Sequence, residues 1–193
     1  MNRRDAIARV GLLVGGTVVG ANAFLTGCAP KRTEEGVAGL DFSAENLGFL
    51  DEVGETILPE TQASPGAKAA KIGEFMKAIV SDCYEEKDQK IFMEGITKLN
   101  QFADEKYGND FVDLSAEDKK NLLIELDKEA KEHQKNKKKE DPAHYFTMMK
   151  QLTLWGYFTS EVGSTKALRY NPVPGRYEGC IDYKKGDRAW SAT

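Results

Sequence analysis

The chain has 193 residues, 40% of them apolar and 30% charged, with a net charge of −4. These are the proportions of a soluble globular domain with enough length to bury a core. The mild acidity argues against general nucleic-acid binding, which needs a basic face.

The chain opens on Asn2-Arg3-Arg4-Asp5 and then has no charged residue from Val10 to Leu25. A short basic region, an apolar stretch and a small-residue cleavage site describe a secretory signal. The stretch of about 16 residues is shorter than the roughly 20 that a spanning helix needs. Its glycines and the pair Arg3-Arg4 resemble a twin-arginine signal. Asp5-Ala6-Ile7 departs from the usual residues after the pair, so the general secretory route stays open. Leu25-Thr26-Gly27-Cys28 resembles the lipobox of bacterial lipoproteins. Cleavage before Cys28 leaves a cysteine that carries acyl chains, several of which anchor stably where one does not. The expected division is a signal over 1–27, a tether over 28–42 and one helical domain over 43–193. The expected location is the bacterial envelope, on a periplasm-facing membrane surface.

Helical spacing dominates the mature part. Ser43 is placed to cap a first helix whose stripe is Leu47, Leu50, Val53 and Ile57, stopped by Pro59. Pro65-Gly66 marks a turn. A second helix starts at Ala67 or Ile72 and reaches Tyr84, with Ile72, Phe75, Met76, Ile79 and Val80 inward. The third runs from about Glu86 to Tyr107 over Phe92, Ile96, Leu99, Phe102 and Ala103, and Gly108 suits its end. Ser115 and Asp118 begin a fourth, with Leu122, Leu123 and Leu126 apolar. The lysine-rich stretch Lys128–Lys139 reads as a solvated helix end or loop. Pro142 is expected at the first position of a fifth helix that turns Tyr145, Phe146, Met149, Leu152 and Trp155 inward. About five helices are followed by an irregular segment, Arg169–Cys180, with two prolines and two glycines.

No catalytic constellation emerges. His133 and His144 lack metal-ligand spacing and read as solvated, so no metal site is expected. No phosphate-binding loop, dinucleotide fingerprint or nucleophile elbow is present. Apart from Cys28, the cysteines are Cys83 and Cys180. Outside the cytoplasm they can form a disulfide; two buried free thiols are the other reading.

Four stretches carry a family resemblance: Glu55-Thr56-Ile57-Leu58-Pro59, Ser64–Ala70, Leu152–Gly163 and Ala167–Cys180. Together they resemble the gluconate 2-dehydrogenase subunit 3 family over most of the mature domain. The resemblance implies a small, mainly α-helical accessory subunit that binds no cofactor itself. Its companion would be a large FAD-dependent dehydrogenase of a sugar or sugar acid, often beside a cytochrome subunit. The small subunit commonly carries the twin-arginine signal for both, because FAD is inserted in the cytoplasm and the complex crosses folded. The companion is expected to contact Trp155, Tyr157, Phe158, Glu161, Arg169, Tyr170, Pro172, Pro174 and Arg176, since aromatic residues and arginine make good interface anchors. The alternative is a stand-alone envelope lipoprotein that binds a ligand or serves as an assembly module.

Overall fold

A computed structural model of the chain describes residues 40–173, 175–176 and 179–191. The expected signal residues Arg3, Arg4, Leu25, Thr26, Gly27 and Cys28, nearly all of the tether, and Pro174 lie outside the described residues.

Five α-helices follow one another among the described residues: α1 Ala44–Ile57, α2 Ile72–Cys83, α3 Glu86–Tyr107, α4 Ala116–Asn136 and α5 Tyr145–Thr159. Short 3-10 turns occupy Ala67–Ala70 and Phe111–Asp113, and a π-helical turn covers Gly163–Ala167. The mainly helical single domain read from the sequence is what forms.

Local chemistry accounts for most of the boundaries. The Ser43 hydroxyl accepts from the Asn46 backbone N–H, and that of Ser115 accepts from Asp118 N–H while donating to its carboxylate. Each satisfies an otherwise orphaned donor of a first helical turn. Gly108 ends α3 with φ +72°, a conformation costly to a residue with a Cβ. Lys71 adopts φ 52° and separates the Ala67–Ala70 turn from α2, so the second helix takes the later of its two expected starts.

The lysine-rich stretch is a solvated helix end as far as Asn136, as one of its two readings had it. Two expectations are corrected. α5 does not begin at Pro142; it begins at Tyr145, because the His144 imidazole acts as its cap and accepts from Phe146 N–H at 3.2 Å. His144 is accordingly not solvated, with only 10% of its side chain exposed.

α5 is the central element and touches each of the other four helices. Phe146, Met149, Leu152 and Thr153 are buried along it, against Leu50 and Val53 of α1, Met76 and Val80 of α2, Phe92 and Leu99 of α3, and Leu122 and Leu126 of α4 within one core. Among the described residues, one charged side chain is buried in this interior. Lys119 is 8% exposed, and its ammonium donates to Glu52 Oε1 at 2.7 Å and to the Val112 carbonyl at 2.8 Å. A buried ammonium needs such partners to offset its lost hydration.

Candidate docking site

The stretch Glu55–Pro59 and the stretch Ser64–Ala70 fold into one clasp. Glu55 Oε1 accepts from Glu60 N–H at 2.8 Å, and Oε2 accepts from Lys68 N–H at 2.9 Å. One carboxylate thus closes the loop between α1 and the following 3-10 turn. Gly66 passes so near that a Cβ there would lie 2.0 Å from Glu55 Oε1.

The stretch Leu152–Gly163 divides between two jobs. Gly156 lets the Phe75 ring pack onto the α5 backbone, where a Cβ would meet Phe75 Cδ1 at 2.5 Å. Tyr157 turns inward and is 3% exposed, and its hydroxyl donates to the Pro65 carbonyl. Ser160 binds the chain rather than acting as a nucleophile: its hydroxyl donates to the Tyr157 carbonyl and accepts from Gly163 N–H. The remaining large side chains turn outward. Trp155 is 52% exposed, Phe158 38% and Leu154 37%. At 3.6 residues per turn these three fall within an arc of about 100° and so share a side of α5. Trp155, expected inward, instead lays its indole edge-to-face on Phe75 at 5.3 Å between ring centroids. A helix apolar on every side is ordinarily buried on every side; α5 leaves one side of its C-terminal half open.

Beyond α5 the chain passes through Arg169–Cys180 and returns along residues 181–191. Arg169 organises the return. Its backbone N–H donates to the Ala189 carbonyl, and its carbonyl accepts from Ser191 N–H, forming an isolated parallel bridge with Trp190. Its guanidinium pairs with Asp187 at 3.0 Å and lies 5.4 Å from the Trp190 ring centroid. The Lys184 backbone N–H, and then Arg169, hold the Asp187 carboxyl below its ordinary value. Between this return and the end of α5 lies an open cavity of about 780 Å³. Phe158, Glu161, Tyr170 and Trp190 line it, with the hydroxyls of Ser164 and Thr165.

Of the residues expected at a partner contact, Phe158, Glu161 and Tyr170 therefore meet around one cavity, with Trp155 on the adjoining surface. Tyr157 is buried and Arg169 is engaged within the chain. Pro172 and Arg176 are exposed farther along the segment. Sequence reasoning missed Leu154, Trp190, Ile181 and Tyr183, all exposed. The aromatic content that singled out Arg169–Cys180 continues through Tyr183 to Trp190, and that continuation was the available signal. Cys83 and Cys180, considered as a disulfide, are both unbonded and exposed in the structure.

No curated protein and no solved structure matches this chain. The family profile described as gluconate 2-dehydrogenase subunit 3 matches residues 44–175, which takes in all five helices, the clasp and the open side of α5. The chain belongs to the gluconate 2-dehydrogenase subunit 3 family.

Proposed function

We propose that this chain is the small accessory subunit that binds, escorts through export and stabilises a FAD-dependent dehydrogenase of a sugar or sugar acid. Its signal directs the pair across the cytoplasmic membrane, and lipid on Cys28 then holds the complex at the membrane. FAD belongs to the companion, and a cytochrome subunit completes electron transfer in some such complexes.

The observation that carries this reading is the half-open helix α5. A core helix that leaves Leu154, Trp155 and Phe158 in water next to an aromatic-lined cavity has the character of a surface awaiting another protein. Membership in a family of dehydrogenase subunits supplies the class of that protein.

Affinity purification of the full-length, tagged chain from its native membranes tests the reading. A large flavoprotein with sugar-oxidising activity and flavin absorbance should come with it. Intact chain recovered without flavin or oxidoreductase would leave the stand-alone lipoprotein as the better account. Globomycin treatment should block maturation at Cys28; a mature chain of unchanged mass would remove the lipid anchor.

A further inference from the structure

Arginine is segregated in the folded domain. None occurs from 44 to 168, where lysine supplies all the fixed positive charge; Arg169, Arg176 and Arg188 then follow within twenty positions. Charge divides along the same line. Residues 44–160 hold 16 lysines against 23 carboxylates, whereas residues 161–193 hold six basic groups against four acidic ones. The domain is therefore acidic in its helical body and basic in its C-terminal segment.

The fold places this basic segment beside the open side of α5. Arg188 donates to the Lys166 carbonyl, fixing the end of the return segment to the π-helical turn. A guanidinium has five N–H donors in a rigid fork, so this bond leaves others for an incoming carboxylate. Lys184 and Lys185 are exposed on the same return segment, next to the Lys184–Asp187 turn. Trp190 is 53% exposed and lines the cavity with Phe158 and Tyr170.

We infer that residues 181–191 and the outer side of α5 form one docking surface, which takes an apolar patch rimmed by Asp and Glu on the large companion subunit. An apolar side chain of the companion fills the cavity between Phe158, Tyr170 and Trp190. Its carboxylates meet Lys184, Lys185 and Arg188. The inference rests on the accessory-subunit reading and adds the return segment, all of which lies beyond the family match, together with the chemistry of the opposing face. The charge division supports an acidic partner surface, because such a surface is attracted to this end and repelled by the rest of the domain. Tryptophan and arginine held in place by internal contacts are suited to act as anchors.

The test uses the companion complex recovered with full-length chain. Companion retention is measured against salt for wild type, Lys184→Glu/Lys185→Glu, Arg188→Gln, Trp190→Ser and a distant control, Lys138→Glu/Lys139→Glu. All the substituted positions are exposed, and circular dichroism confirms that each variant folds. The return-segment variants should bind the companion about tenfold more weakly or worse, and charge reversal should also flatten the salt dependence. The control should match wild type. Return-segment variants that bind like wild type, a control that loses as much, or an effect confined to self-association of this chain would each overturn the inference while the subunit reading stood. Recovery of no flavoprotein with wild type would remove both.

Discussion

The hydroxyl of Tyr157 on α5 donates to the carbonyl of Pro65, 92 positions earlier in the chain. This bond joins two of the stretches that carry the family resemblance. It also explains why a tyrosine between outward-facing Trp155 and Phe158 is itself buried. Tyr157→Phe keeps the ring and removes the donor, leaving the part-buried carbonyl without this partner. The expected loss is about 1–2 kcal/mol of unfolding free energy in a urea titration. An unchanged midpoint and slope would show that the bond contributes nothing.

The Glu55 clasp makes a sharper demand. A Cβ on Gly66 would fall 2.0 Å from Glu55 Oε1, and that carboxylate is held by the N–H groups of Glu60 and Lys68. It can retreat only by giving up those bonds. Gly66→Ala should therefore destabilise the domain by about 2–3 kcal/mol. Glu55→Gln should cost less, because one amide oxygen still accepts. If Gly66→Ala melts with wild type, the clasp is looser than its geometry indicates.

Glu52 lies between Lys119 and Lys68. Burial pushes its carboxyl upward, but the two ammonium groups outweigh that and hold it below its ordinary 4.5. A carboxyl with a lowered folded-state pKa gives stability that is complete above the unfolded value and lost as pH falls through the folded one. Acid should therefore begin to remove this contribution below about pH 4.5. Glu52→Gln leaves Lys119 buried beside a neutral group and should cost about 2–3 kcal/mol at pH 7, with a flatter acid limb. Equilibrium unfolding at several pH values reads both effects. A variant as stable as wild type at pH 7 would show that the Val112 carbonyl alone suffices for Lys119.

His144 couples α5 to pH through its cap. Its Nδ1 accepts from Phe146 N–H, which only an unprotonated nitrogen can do, and Nε2 lies 3.6 Å from Glu129. Burial lowers its pKa below the ordinary 6.5; Glu129 acts against this, while His133 of α4 and Lys98 of α3 add to it. With a lowered folded-state value, the neutral form stabilises the fold above about pH 6.5, and that stability is lost as pH falls through the folded value. His144→Asn keeps an accepting cap without a titrating group. Its melting temperature should fall less than that of wild type between pH 7 and pH 5. Parallel curves for the two proteins would exclude the imidazole as the sensitive group.

The helical framework was legible because its signals are local. Ser43, Gly108 and Ser115 mark boundaries by hydrogen bonds or torsions within one turn. Leu50, Val53, Phe92 and Leu99 show the inward face by their spacing alone. The start of α5 was misread because Pro142 fits a first helical position in the abstract, whereas a histidine cap is an uncommon choice that the surrounding packing imposes. The direction of Trp155 was obscured rather than absent. Only Lys150 and Gln151, one turn before Leu154 and Trp155, mark the outward side, and the apolar run after them hides it. The return of 181–191 depends on Arg169 meeting Asp187 and Trp190 across the intervening segment, and no short window of sequence contains that relationship.

The open side of α5 predicts opposite effects on stability and on assembly. Trp155 and Phe158 are 52% and 38% exposed and stand outside the buried core, so replacing them costs less than truncating a fully buried aromatic residue. Trp155 does keep its edge contact with Phe75, so Trp155→Ser is expected to cost about 1 kcal/mol through that aromatic pair. Phe158 is the more covered of the two and lies edge-to-face on Tyr157 at 5.2 Å, so Phe158→Ser is expected to cost about 1–2 kcal/mol. The isolated wild-type chain should bind an environment-sensitive dye such as ANS through this surface, and the double variant should bind much less while retaining its helical signal. In the companion complex the same double variant should lose most of the flavoprotein. Were the double variant instead to unfold outright, Trp155 and Phe158 would belong to the core, and their exposure would have no part in holding a second protein.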